Sequence, residues 1–406
     1  MLRPPSALSG AAYWLHDTPE QADFRVQARQ WLAVTLAEVC GDVSSPDYDL
    51  RLEEYPVRRR WQAALADAGW AGLAWPAEYG GRAFPMALQA VFHEESSRAR
   101  APRPLNSIGL YMAGPTIIAF GTEMQKADHL GPILRGDEIW CQGFSEPGAG
   151  SDLRGLRVRA QPDGDGYTIN GTKIWTSYAD VSSYCILLVR TSVTAAEASP
   201  LSMLLLPMDA PGVTCRPIRQ ATGKARFCEV VLENVRLPRS ALLGAEGQGW
   251  QVAMTTIAHE RATMGFALQA DCAALLDRLT DLAREAGVTG GEIGARLATM
   301  RATTSAMRAL GRIGLRAYSE TGTPGPEGSM MKLTWEQLQH DICVCALEVL
   351  GTPGGRRVDE RRHEYWTATY LRSRGNTIEA GTTEMHLNAI SQRILGMPRP
   401  PRVMER

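Results

Sequence analysis

The chain has 406 residues, of which 44% are hydrophobic and 21% charged, with a formal net charge of -1. That length suffices for two or three packed units, and so even a charge gives no electrostatic footprint for nucleic acid. No apolar run reaches the roughly 18 residues of a membrane-spanning helix. The opening, Met1 to Gly10, carries one Arg and no apolar stretch suited to secretion, so a cytoplasmic protein is expected. Eight cysteines are scattered without a C-x-x-C pair or zinc-finger spacing. They read as reduced, mostly buried thiols, and with the histidines equally dispersed no metal site is expected.

Three zones follow one another. From Thr18 to Gly136 apolar residues recur at helical spacing, as in Phe24, Ala28, Trp31 and Leu32, and again from Val57 to Trp70. Pro115 stands where a further helix can begin. From Glu138 to Gly249 the texture is that of short strands: Tyr167 to Ile169, Tyr184 to Arg190, Leu201 to Pro207 and Cys228 to Leu232. Asn170-Gly171 reads as a hairpin turn, and Ser192 to Pro200 as a small-residue loop. From Trp250 onward the pattern is helical again, over Trp250 to Glu285, Glu292 to Glu320 and Met330 to Leu350. The zones predict an N-terminal α-helical domain (1–137), a middle β domain (138–249) and a C-terminal helical domain (250–406).

Two segments of the middle zone carry chemistry. Phe144-Ser145-Glu146-Pro147-Gly148-Ala149-Gly150-Ser151-Asp152 is a turn of little bulk, offering hydroxyls and backbone N–H groups to something that approaches closely. Alone, such a turn is more often a surface loop. The second, Ile169-Asn170-Gly171-Thr172-Lys173-Ile174-Trp175-Thr176-Ser177, places a stacking face beside two hydroxyls. A lone Trp in a strand is more often core.

Together these segments resemble the acyl-CoA dehydrogenase family, whose middle domain carries a T/S-E-P-x-A-G-S-D turn and an I-N-G-x-K-x-W-x-T/S hairpin. The resemblance continues through Leu243 to Trp250, Thr377 to Met385 and Ile394 to Pro398, and so covers nearly the whole chain. It implies the family's fold: an N-terminal helical domain, a middle β-barrel-like domain and a C-terminal four-helix bundle. It also implies FAD as cofactor, an acyl-CoA substrate in lipid metabolism, and an electron-transfer flavoprotein or similar acceptor. Carried over residue by residue, Gln142, Phe144, Ser145, Gly150 and Ser151 would line the flavin and its phosphates, with Ser145 on the pyrimidine edge. Trp175, Thr176 and Ser177 would face the ring, Ser177 towards N5. Thr382 and Glu384 would reach the nucleotide part. Ser151 is also placed on the acyl-CoA.

Taking an α-proton next to a thioester needs a positioned carboxylate and a stabilised enolate oxygen. In much of the family the base directly precedes the Gly-Thr of the last motif, but here Ala380 stands before Gly381 and Thr382. Glu379 is one residue early and points elsewhere. A subset resembling the isovaleryl-CoA and long-chain dehydrogenases keeps the base on the first helix after the β domain, followed by Arg. That pattern matches Glu260-Arg261, which makes Glu260 the candidate base, with Arg261 holding local structure on the substrate side. The resemblance further implies that the N–H of Ala380, beside Gly381, donates to the thioester carbonyl.

Two segments depart from the family pattern. Homomeric members carry R-x-x-F-G early in the bundle, its Arg serving the neighbouring subunit's FAD; Asp281 to Thr289 has no such match. A usual Q-x-x-G-G-x-G reads Glu348 to Gly355, with an acid for the Gln, unfavourable beside a pyrophosphate. One reading is an α2β2 assembly with a related chain, built like actinobacterial sterol side-chain dehydrogenases; the other is a homo-oligomer with an altered cofactor contact. An acyl-CoA oxidase, a carrier-protein-linked dehydrogenase and a non-catalytic partner subunit remain as alternative functions.

Overall fold

The computed structural model describes residues 17–41, 55–191, 200–321, 325, 327–351 and 360–398, the side chains of 260–266 and 318–321 excepted. The Ser192 to Pro200 loop and the Thr352 to Gly355 part of the second divergent segment therefore lie largely outside the described residues. In chain order come helices α1 (Pro19–Val39), α2 (Tyr55–Asp67), α3 (Met86–Arg98), α4 (Gly114–Phe120) and α5 (Glu123–Arg135). Strands β1 (Trp140–Gly143), β2 (Arg159–Asp163), β3 (Gly166–Ser177), β4 (Tyr184–Arg190), β5 (Leu201–Pro207), β6 (Val213–Ile218), β7 (Phe227–Pro238) and β8 (Leu242–Leu243) follow. The chain continues with helices α6 (Gly249–Ala286), α7 (Gly291–Thr321), α8 (Glu327–Leu350), α9 (Glu360–Ser373) and α10 (Thr383–Arg393). Helical N- and C-terminal portions thus flank a sheet-forming middle, as expected.

The described residues form two compact units. One comprises those of Trp31–Pro85 and Arg100–Thr263, the other those of Met1–Gln30, Met86–Ala99 and Met264–Arg406. In the first, α4 follows directly on a π-helical turn over Gly109–Ala113, with Pro115 as its second residue. Helix α5 has a reciprocal N-cap between Thr122 and Gln125 and stops at Gly136, left-handed at φ 74°. The sheet runs β6-β7-β3-β2-β4-β5-β8, with β1 parallel to β4. β4 and β5 are buried almost throughout, which is why their sequences are near-continuous apolar runs.

Asn170-Gly171 makes no hairpin. The turn between β2 and β3 falls at Gly164-Asp165, and β3 runs unbroken through Asn170 to Ser177. Gly171, at φ 137°, marks a register shift against β7, where the Asn170 side chain accepts from the Asn234 N–H at 2.8 Å. A bulge has taken the dipeptide that otherwise favours a turn.

In the second unit α6, α7, α8 and α9 share an apolar core including Leu276, Leu279, Ile342, Ala346 and Trp366. Cys272, Cys343 and Cys345 are buried in it, so the i, i+2 pair on α8 is enclosed on both faces. All eight cysteines are free; seven are buried, and Cys215 is half-buried. Burial pushes the Cys343 thiol up to about 12. Among the described residues no helix is long and apolar enough to cross a membrane, and no group of His, Cys, Asp or Glu is placed to hold a metal ion.

Candidate active site

Strand β1 delivers Gln142 to the edge of β4 and then releases the chain into the small-residue turn. Phe144 is buried and Ser145 half-buried, while Gly148, Gly150 and Ser151 are exposed. A Cβ on Gly148 or Gly150 would meet nothing within 4 Å, so this stretch is open backbone. The turn is bolted to β3 from behind. Ile174 N–H donates to the Ser145 carbonyl at 2.9 Å, and the buried Lys173 Nζ donates to the Phe144 carbonyl at 3.0 Å. Lys173 also donates to Glu146 at 2.8 Å, whose carboxylate accepts the Arg157 and Val158 N–H groups at 2.5 and 2.9 Å.

Directly after Lys173 the pairing of β3 with β7 slips, and Trp175 takes the left-handed conformation at φ 60°. A bulky residue there costs of order 1–2 kcal/mol and is held only where its surroundings impose it. The bulge turns the indole outward: Trp175 is 57% exposed, edge-on to Phe227 at 6.2 Å. Thr176 is fully buried, yet among the described residues its hydroxyl has no hydrogen-bond partner. Ser177, half-buried, pairs with Phe227 and ends the strand. An apolar face, an unanswered hydroxyl and a second hydroxyl thus lie within three residues.

An open cleft of about 310 Å³ on the same unit is lined by residues including Glu146, Gly148, Arg157, Gly171 and Thr172. Its lining includes none of Trp175, Thr176 and Ser177.

Glu260 and Arg261 fall on helix α6, about three turns from its start at Gly249. Their side chains lie outside the described residues. The preceding His259 is half-buried, and burial pushes its imidazole below the usual histidine range.

Ala380, Gly381, Thr382 and Glu384 are grouped on the turn into α10, in the other unit. Ala380 is exposed and left-handed at φ 51°, and among the described residues nothing accepts from its N–H. Thr382 caps α10 by accepting the Met385 N–H at 3.3 Å. The backbone N–H of Glu384, and after it the Thr382 hydroxyl, draws the Glu384 carboxyl below its usual range. Glu379, the residue that sequence spacing set aside, is tied to Arg372 at 2.6 Å.

The turn is clamped from α8 by residues that sequence reasoning missed. Lys332 donates to Glu336 at 2.6 Å and to the Asn376 carbonyl at 2.7 Å; Glu336 accepts the Thr383 hydroxyl at 2.6 Å. Buried Asn376 donates to Gln339 at 2.7 Å. The i, i+4 spacing of Lys332 and Glu336 was visible, but nothing local tied the pair to a turn more than forty residues onward. Glu348, the acid in the divergent segment, forms an ion pair with Arg296 of α7.

The three zones match three family models: acyl-CoA dehydrogenase N-terminal domain over residues 18–137, middle domain over 141–235 and C-terminal domain over 247–395. The chain is 39% identical over 384 residues to acyl-CoA dehydrogenase IpdE1 of Mycobacterium tuberculosis, covering 93% of this chain and 98% of that one. Among solved structures it is similar to one described as "Tcur3481-Tcur3483 steroid ACAD", with TM-score 0.81 and 27% identity over 95% of this chain and 100% of that one. It is also similar to a chain of the ChsE4-ChsE5 complex from Mycobacterium tuberculosis, with TM-score 0.79 and 28% identity over 95% and 99% of the two chains.

Proposed function

Because the chain belongs to the acyl-CoA dehydrogenase family, we propose that it converts a bulky, steroid-type acyl-CoA into the trans-2-enoyl-CoA with Glu260 as base. FAD-dependent dehydrogenation is the family's general chemistry, and the enzyme is an oxidoreductase acting on acyl-CoA. The observation that carries the reading is the β3 bulge. An exposed Trp175 in a strained conformation, with the half-buried Ser177 two residues on, fits a flat ring with polar edges. Ser145 and Ser177 supply further hydroxyls, and Gln142, Phe144, Gly150 and Ser151 a surface without bulk. Thr382 and Glu384 serve the nucleotide end. The bound flavin supplies the acceptor for the β-hydride.

The chain's own residues do the rest. Glu260 takes the α-proton, since Ala380 offers no carboxylate. The Ala380 N–H, beside Gly381, polarises the thioester carbonyl as negative charge develops on its oxygen. Arg261 holds the helix surface next to the base, and Ser151 faces the acyl-CoA. The domain borders of this arrangement fall at 137/138 and 249/250.

The steroid-type substrate is supported by the similarity to a steroid dehydrogenase structure. The same similarities, to structures named as pairs of chains, support a heteromer in which a related chain completes the cofactor site. So does the missing Phe-Gly after Arg284, together with Glu348 engaged by Arg296. An electron-transfer flavoprotein or similar carrier takes the electrons. The test is Glu260→Gln in the flavin-loaded enzyme, which is expected to keep FAD and lose turnover; substantial retained turnover removes Glu260 from the role. Expression alone and with a sister chain, reading FAD per chain and solution mass, tests the assembly: full flavin in a homo-oligomer overturns the heteromer.

A further inference from the structure

Helix α10 returns one side chain to the turn that precedes it. His386 is 6% exposed, and both ring nitrogens have partners. Nε2 lies 3.1 Å from the Ala380 carbonyl oxygen. A carbonyl can only accept, so Nε2 carries the proton. Nδ1 lies 3.1 Å from the Ser329 Oγ on α8, which donates to it. The ring is also packed against Gly381, where φ is 92° and a Cβ would stand 3.0 Å from Nε2.

Ala380 is a non-glycine held left-handed, a conformation that persists only under external constraint. The α8 clamps act elsewhere, Lys332 on the Asn376 carbonyl and Glu336 on the Thr383 hydroxyl. His386 is the side chain that grips the Ala380 carbonyl. Holding that carbonyl on one side of the Cα fixes the rotation of residue 380, and with it the aim of the N–H on the other side.

We propose that His386 is a positioning residue for α-proton abstraction: its Nε2–H, oriented by Ser329, latches the Ala380 peptide so that the Ala380 N–H meets the thioester oxygen. The proposal rests on the reading above that Ala380 polarises the substrate carbonyl. Misplacing a donor to a developing oxyanion by a fraction of an ångström slows the chemical step more than it weakens binding.

The experiment compares His386→Leu and His386→Gln in the flavin-loaded enzyme, with whatever sister chain that enzyme needs. Leu fills the space without a donor; Gln restores an N–H of similar reach. His386→Leu is expected to lower kcat about tenfold with KM and FAD content little changed. Backbone amides of residues 377–386 should exchange faster with deuterated solvent in that variant, a readout independent of flavin and turnover. His386→Gln should recover both kcat and slow exchange. Wild-type kcat in His386→Leu, or equal loss in both variants, overturns the latch. Full turnover in Glu260→Gln sinks the catalytic reading while leaving the exchange result standing, so the two failures are distinguishable.

Discussion

Lys173 Nζ lies 2.8 Å from the Glu146 carboxylate, with the lysine side chain wholly buried and the acid nearly so. The pair joins β3 to the turn that would line the cofactor, because the same ammonium also holds the Phe144 carbonyl. Burying two charges gains little net energy, but removing one leaves the other unpaired.

Lys173→Met is therefore expected to destabilise its unit by about 3–5 kcal/mol. Lys173→Met combined with Glu146→Gln should recover most of that, since no buried charge is left. Thermal or denaturant unfolding of the three proteins checks this. Additive losses in the double variant would show that the two side chains act independently.

Thr176 gives a prediction of opposite sign in the two states of the enzyme. An unpartnered buried hydroxyl costs about 1–3 kcal/mol, so Thr176→Val, which keeps the shape, should raise the unfolding midpoint of flavin-free protein. If that hydroxyl bonds to bound FAD, the same variant should weaken FAD about five- to tenfold. Flavin titration by fluorescence reads the second effect, and unchanged affinity would remove Thr176 from the cofactor surface.

The features legible in the sequence were those with local causes. β4 and β5 match their apolar runs residue for residue, because strands buried on both faces write themselves as unbroken hydrophobic stretches. α6, α7 and α8 were long enough that their periodicity outweighed single residues. β6 was missed: its residues are half-buried or exposed, so no apolar run marks it. Asn170-Gly171 misled because turn propensity is local, whereas the bulge it forms is set by pairing with β7. At the site, Trp175 and Thr176 were named by their motif, but the positive φ and the orphaned hydroxyl arise from a register shift. His386 could not be found at all, since its role depends on a turn folding back on the helix that follows it.

Glu95 is the centre of a charged network in the other unit. It is 1% exposed and takes Arg25, Arg29 and Arg98 at 2.8 Å each. Arg25 also bonds Asp17 and Glu94 at 2.6 and 2.7 Å. Burial raises the Glu95 carboxyl, but its bonds to Arg29 and Arg25 outweigh that and hold it below the usual range. A depressed acid stabilises the fold above its unfolded pKa and loses that contribution as pH falls through the folded one. Glu95→Gln should therefore destabilise by about 3 kcal/mol at neutral pH, and by progressively less below the ordinary carboxylate range. A difference between wild type and variant that stays constant down to strongly acid pH would contradict the account.

His259 supplies the pH dependence nearer neutrality. Burial lowers its imidazole pKa, so between that lowered value and the ordinary histidine value of about 6.5 the unfolded chain binds a proton that the folded chain resists. Stability then rises with pH across this window, is fully present above it, and falls as the solution is acidified through it. His259→Gln, which cannot charge, should flatten the unfolding midpoint as pH falls below about 6.5 while leaving the carboxylate-driven loss at lower pH. Midpoints measured across that range in both proteins decide the matter. Parallel curves would mean that His259 protonates as easily folded as unfolded, and that the acid side of the profile belongs to other groups.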